Sequence, residues 1–197
     1  MYKSLSVLVP VYNEKNTIEK CLNRILEANT CGLDLEVLVS DNNSTDGTRE
    51  ILNSIKNPKI KIFFRETNNG KGANIKNALK NATGDIVLFQ DADLEYSTEN
   101  YPDLLKPFIE GDADVVFGSR LTHSKTTKIV GFPNYIGNKI FTTLANFLFN
   151  RIFTDIATGH KVFKKEIIKN MEIYSDGFEI EPEITAKISK NKKLNIY

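Results

Sequence analysis

Tryptophan is absent from this sequence, histidine and cysteine occur only twice each, and no apolar run reaches the length that crosses a bilayer. Two cysteines, Cys21 and Cys31, are too few for a disulfide framework and read as reduced, structural residues. The opening residues, Met-Tyr-Lys-Ser-Leu-Ser-Val, lack a signal-peptide apolar segment, so the expectation is a cytoplasmic protein. An excess of charge is missing as well. With 26 Lys and Arg against 25 Asp and Glu, the net charge of +1 gives no general pull toward nucleic acid, and any anion must be bound by local groups.

What is present fits one globular domain over residues 1–197, since 41% of residues are hydrophobic and 26% charged. Leu5 to Pro10, Leu35 to Ser40, Ile60 to Phe64, Ile86 to Gln90 and Val115 to Gly118 are short apolar runs, nearly continuous as burial on two faces requires. Between them apolar residues recur near every 3.6 positions: Ile18, Leu22, Ile25 and Leu26, then Ile51, Leu52 and Ile55, then Ile75, Ala78 and Leu79, then Leu104, Leu105 and Phe108. This alternation predicts an α/β fold, a doubly wound, mostly parallel sheet flanked by helices.

Ligands of such sheets bind outside the carboxyl ends of the strands, and all five ends here are polar. They carry Tyr12-Asn13-Glu14, Asp41 to Thr48, Asn68 to Gly72, Asp91-Ala92-Asp93 and Gly118-Ser119-Arg120. Asp46 reads as a helix cap. Asp91, Asp93 and Glu95 follow directly on an apolar strand, and acids so crowded need solvent or a compensating cation. Alternation along the chain sends Asp91 and Asp93 to one side, while small Ala92 leaves the backbone open to a ligand. Two converging carboxylates suit a hard divalent cation, Mg²⁺ or Mn²⁺, completed by phosphate oxygens and water. A solvated strand end is the competing account.

Val9 to Glu14, Asp41 to Thr48, Asn69 to Gly72, Gln90 to Leu94 and Gly118-Ser119-Arg120 resemble, in order and spacing, the motifs of family 2 glycosyltransferases. The similarity is greatest to the dolichyl- or polyprenyl-phosphate sugar transferases, and Thr154 to Phe163 and Phe178 to Lys187 extend it into the last third of the chain. The resemblance implies a GT-A fold and inverting transfer of a sugar from a GDP- or UDP-linked donor to a lipid phosphate. Pro10, Tyr12, Glu14 and Asp41 would hold the nucleoside, with Lys71 and Ala92 beside the nucleotide-sugar. Asp91, Asp93 and Glu95 would hold the metal, and Asp93 and Arg120 would serve catalysis. A phosphate acceptor arrives ionised and needs cations more than a base. Arg120, Lys161 and Lys139 are the candidate cations, whereas a hydroxyl acceptor would call on Glu181 or Glu183. Other classes in competition are a transferase acting on saccharide hydroxyls, an idle nucleotide-sugar-binding domain and a nucleotidyltransferase. The last would need an N-terminal glycine-rich phosphate loop, which Val7 to Glu14 does not supply.

Two departures from the family pattern stand out. Phe132-Pro133-Asn134-Tyr135 replaces a stretch that usually carries arginines, and the chain ends at Tyr197, where the family continues, which predicts truncation at the C-terminus. Ile140, Phe141, Leu144, Phe147, Leu148 and Phe153 form a broad apolar helix face with Lys139 and Arg151 at its ends. That face reads either as buried core or as a surface laid on the cytoplasmic side of a membrane, where a lipid acceptor resides.

Overall fold

The structure, a computed structural model, describes residues 2–119, 132–156 and 158–197. In β1 (Ser4–Val11), Leu5, Val7, Leu8 and Val9 are all fully buried, as a strand covered on both faces requires. α1 (Ile18–Leu26) returns over the sheet and buries Ile18, Cys21, Leu22 and Ile25 at helical spacing. The pattern repeats through β2 (Asp34–Asp41), α2 (Thr48–Ser54), β3 (Ile60–Phe64), α3 (Lys71–Lys80), β4 (Ile86–Phe89), α4 (Tyr101–Ile109) and β5 (Val115–Phe117). It continues with α5 (Phe132–Phe149), β6 (Lys161–Lys164), α6 (Lys165–Lys169) and α7 (Ile180–Lys190).

The strands lie in the order β3-β2-β1-β4-β6-β5. β1 pairs in parallel with β2 and β4, and β2 with β3. β6 is antiparallel to both of its neighbours, β4 and β5. The five strands expected from the sequence therefore run one way, with a reversed strand inserted among them that the sequence reading did not contain. One sheet face packs against Ile18, Leu22 and Ile25 of α1, Leu52 of α2 and Leu105 and Phe108 of α4. The other packs against Ile75 and Ala78 of α3, Ile168 of α6, and Ile180, Ile184 and Ile188 of α7. Pro10 is compatible with this central position because Leu8, two residues earlier, faces β4 and its carbonyl accepts the Gln90 amide at 3.0 Å. The missing N–H of Pro10 thus falls on the side where β1–β4 pairing has already ended at Phe89.

Two of the sequence's open alternatives resolve against burial. Ile140, Phe141, Leu144, Phe147 and Leu148 on α5 are 50–83% exposed, and only Phe153 of the expected face is buried. A core reading of that stripe is corrected: α5 turns Thr142 and Ala145 inward and leaves the large side chains outside. Among the described residues no helix is long and apolar enough to cross a membrane. Cys21 is a buried free thiol, but Cys31 is exposed on a turn at φ 55°, so the structural reading fails for it.

Gly70 and Gly72 are required by close approach. A Cβ on Gly70 would lie 2.5 Å from the Asp176 carbonyl oxygen, and one on Gly72 would lie 2.5 Å from that of Ser175. The approach lets the first amides of α3 donate outward: Gly72 N to Gly177 O at 3.2 Å and Ala73 N to Asp176 O at 2.9 Å. The glycines thus clasp the start of α3 to the turn before α7, and those two amides are already engaged. Gly72→Ala forces backbone against backbone and should destabilise the protein by about 1–3 kcal/mol, the usual cost of overpacking. Chemical denaturation checks this, and an unchanged midpoint contradicts the clasp.

Candidate functional site

The site is assembled where β1, β2, β3 and β4 end. After β1, Tyr12 is 46% exposed and Asn13 takes φ 57°, a left-handed turn that lifts the chain off the sheet. Asn13 N donates to Ser44 Oγ at 2.9 Å and Asn13 Oδ1 accepts from Thr45 N at 2.9 Å, so the first two loops are tied together. Glu14 N donates to Thr48 Oγ1 at 2.9 Å, while its carboxylate accepts from Thr17 at the start of α1. Asp46 Oδ1 accepts from Thr48 N, the first amide of α2, at 3.0 Å, although Gly47 and not Asp46 occupies the cap position.

Asp41, at the end of β2, is fully buried. Its Oδ2 accepts from Ser44 N at 3.2 Å and lies 3.5 Å from Arg49 Nε, whereas its Oδ1 has no hydrogen-bond partner. A buried carboxylate oxygen left without a donor is costly, and a ligand N–H or O–H is one way to supply it. Asn42 continues the floor: its Nδ2 donates to Asn68 Oδ1 at 2.6 Å and to Gly70 O at 3.2 Å. The second and third loops are thereby joined.

Asp91 and Asp93 are both half-buried, and the negative charge of Glu14 acts on Asp93 from the first loop. Burial lifts the Asp93 carboxyl above its ordinary range; the Glu95 amide offsets part of this, and the charges of Asp91, Glu95 and Glu14 add to the rise. Glu95 does not complete a three-carboxylate cage, and among the described residues no three such groups converge to hold a metal ion. The reason is local. Leu94 adopts φ 63°, and Glu95 N folds back to donate to Asp93 Oδ1 at 2.9 Å, leaving the Glu95 side chain exposed. The side chain of Ala92, between Asp91 and Asp93, is buried among the core residues. Two carboxylates, one of them raised by burial and by neighbouring negative charge, fit a cation that takes its remaining ligands from a bound phosphate and water.

Lys71, the first residue of α3, reaches over Asp91. Its Nζ lies 2.8 Å from Oδ1 and 3.0 Å from Oδ2, and 3.1 Å from Glu181 Oε1. Burial alone would lower this ammonium, but Asp91 and Glu181 more than offset it and hold it above its ordinary value. Lys161 was expected to face an acceptor phosphate; instead it is fully buried. Its Nζ donates to Thr158 O at 2.5 Å, Ile156 O at 3.3 Å and Glu181 Oε2, which uses all three hydrogens. Glu181 thus sits between two lysines, and their attraction outweighs burial to keep its carboxyl below the usual range. Glu183 is engaged as well, accepting from Tyr174 N at 2.9 Å, Ser175 N at 2.7 Å and Lys187 Nζ at 2.5 Å. Burial would raise it, but these donors bring its pKa down to about 2.

A contribution the sequence reading did not identify comes from behind Asp91. Gln90 Nε2 donates to the Asp91 carbonyl at 3.0 Å, and Gln90 Oε1 receives Tyr101 OH at 3.1 Å and faces His160 Nε2 at 2.8 Å. Since Gln90 Oε1 can only accept, His160 carries its proton on Nε2. Burial drives the His160 pKa down to about 3, so the ring is neutral. Gly159 leaves no room for a Cβ beside the Asp91 carboxylate. The signal in the sequence was Gly159-His160 itself, a small residue next to a lone histidine. Arg120 lies outside the described residues.

The raised Asp93 sets a sign for stability. A carboxyl whose pKa is raised by folding opposes the native state when ionised, and the penalty disappears at pH values below the unfolded value of 3.8. Asp93→Asn should therefore melt at a higher temperature than the wild type at pH 7, with the difference closing toward pH 3.8. Melting curves across that range check it, and a variant that melts lower at neutral pH contradicts the repulsion.

Comparison with known proteins completes the picture. Residues 6–171 match the family described as Glycosyl transferase family 2. The dolichol-phosphate mannosyltransferase of Pyrococcus furiosus is 28% identical over 98% of this chain, which covers 55% of that protein. Glycosyltransferase AglJ of Haloferax volcanii is 29% identical over 95% of the chain, covering 59% of that protein. The chain thus spans little more than half the length of these relatives. Among solved structures, Mycobacterium tuberculosis glucosyl-3-phosphoglycerate synthase in complex with Mn²⁺, UDP and phosphoglyceric acid superposes with a TM-score of 0.73. The identity is 23%, over 98% of this chain and 67% of that one. The doubly wound sheet with one reversed strand is therefore of the GT-A type, and the chain belongs to glycosyl transferase family 2.

Proposed function

We propose that this domain transfers a sugar, with inversion at the anomeric carbon, from a nucleotide-sugar to a polyprenyl or dolichyl phosphate. The observation that carries the choice of acceptor is the state of the two nearby glutamates. A hydroxyl acceptor needs a base, yet Glu181 is ion-paired to Lys71 and Lys161 and Glu183 accepts from two amides and Lys187. Carboxylates engaged by these donors and held below the ordinary range are poor proton acceptors. A phosphate arrives ionised and does without them. The name of the Pyrococcus furiosus relative points to the same acceptor class.

In this reading Tyr12 and Asp41 receive the nucleoside, the unpartnered Asp41 Oδ1 accepting a donor from it after local opening, while Pro10 and Glu14 shape the loop around it. Asp91 and Asp93 hold a Mg²⁺ or Mn²⁺ ion, which offsets the charge that develops on the leaving diphosphate. Lys71 supplies a second positive charge to the same diphosphate. Arg120 is the proposed cation for the acceptor; Lys161 is not carried forward, because no hydrogen of its ammonium remains free. The exposed apolar face of α5, with the exposed Lys139 near its start and the half-buried Arg151 just past its end, is suited to rest on an anionic lipid surface, the phase that holds a polyprenyl phosphate.

Incubation with radiolabelled UDP- and GDP-sugars, Mn²⁺ and vesicles containing polyprenyl phosphate tests the proposal. Labelled lipid and free nucleoside diphosphate should form together, and Phe141→Glu/Phe147→Glu should lose transfer while still binding the donor. Transfer to polyprenol but not to polyprenyl phosphate, or release of pyrophosphate, overturns it.

A further inference from the structure

The contacts of Lys71 raise a difficulty for any cation at Asp91. Both Asp91 oxygens already face the Lys71 ammonium, at 2.8 and 3.0 Å, so an ion approaching Asp91 meets a positive charge in its way. Two like charges on one carboxylate oppose each other, and more strongly in a partly buried cleft than in water. Lys71 is also held from a second direction. Glu181 Oε1 lies 3.1 Å from the same nitrogen as an ion pair and has no hydrogen-bond partner. Glu181 is itself fixed by Lys161, whose ammonium is fully buried and tied to two carbonyls. The ammonium therefore has two anchors of different permanence: Asp91, which a divalent cation competes for, and Glu181, which Lys161 holds in place through its other oxygen.

We propose that Lys71 is an exchangeable counter-charge: it neutralises Asp91 in the free protein, yields Asp91 to the divalent cation, and, still tethered by Glu181, turns to the donor's diphosphate. Cation and nucleotide then bind cooperatively, because the ion releases the lysine that the nucleotide uses. Glu181 is a positioning residue in this scheme. The inference rests on the proposed nucleotide-sugar site and goes beyond it by assigning Lys71 two successive partners.

Calorimetric titration of the protein with Mn²⁺ alone, with UDP or GDP alone, and with the nucleotide in saturating Mn²⁺ tests both levels. Lys71→Gln removes the charge and keeps a hydrogen-bonding side chain. Exchange predicts that the variant binds Mn²⁺ alone more tightly than the wild type. It also predicts that nucleotide affinity falls by about ten-fold or more with Mn²⁺ present, the range for a lost charge-assisted hydrogen bond, but by less than about two-fold without it. A lysine acting only at a distance would weaken the nucleotide equally in both conditions, and that equality overturns the proposal, as does unchanged or weaker Mn²⁺ binding. If Lys71→Gln does not fold cooperatively, Lys71→Arg is read instead. Its fork should bind Asp91 and Glu181 more firmly and weaken Mn²⁺ binding, and equal or tighter Mn²⁺ binding overturns the proposal. A wild type that binds neither UDP nor GDP with Mn²⁺ refutes the site reading itself, whatever the variants do.

Discussion

The site depends on how negative charge is balanced where β4, the buried centre of the sheet, stops. Four fully or nearly fully buried residues, Ile86 to Phe89, deliver the chain directly to Asp91 and Asp93. Carboxylates brought this close to an apolar core resist ionisation unless positive charge meets them. Lys71 provides it for Asp91. The lysine gets there because Gly70 and Gly72 allow α3 to start against the 175–177 turn, and it stays there because Glu181 holds it from α7. Elements far apart in the sequence, residues 69–73, 90–93, 158–161 and 175–181, are thereby locked into one unit by a single electrostatic requirement.

The same requirement separates two kinds of polar group in the cleft. Lys161, His160, Gln90 and Glu183 have their hydrogen-bonding capacity consumed inside the protein, and they hold shape. Asp41 Oδ1 and the Asp93 carboxyl do not, one lacking a donor and the other pushed up by burial and by its neighbouring carboxylates. Groups of the second kind are where a ligand can contribute what the protein withholds, and they sit on adjacent loops, as a nucleotide with its attached diphosphate would require. The exposed apolar face of α5 is unsatisfied in a different way, by hydrophobic area instead of charge.

Much of this was legible in the sequence because two-face burial leaves an unambiguous mark. The five parallel strands appear as near-continuous apolar runs, and the polar strand ends follow from the rule that ligands bind there. β6 escaped because only Val162 and Phe163 of its four residues are apolar, too short a pattern to distinguish from a loop. The α5 stripe was seen, but periodicity reports that a face is apolar and not what covers it. Lys161 read as a candidate cation for a phosphate because its partner, Glu181, lies twenty residues away, on α7. Glu95 was grouped with Asp91 and Asp93 by proximity in the chain, but after a left-handed Leu94 its amide folds back onto Asp93 and its side chain is exposed.

Mapping backbone amide shifts on titration with UDP or GDP and Mg²⁺ tests the central claim most directly, since it locates binding without relying on turnover. Shifts concentrated in residues 10–14, 41–46, 68–72 and 90–96 are the predicted result, absent when Mg²⁺ is added alone at the same concentration to Asp93→Asn. Shifts confined to the opposite end of the sheet, around Ser6, Glu36 and Gly84, or to the surface of α5, would contradict it.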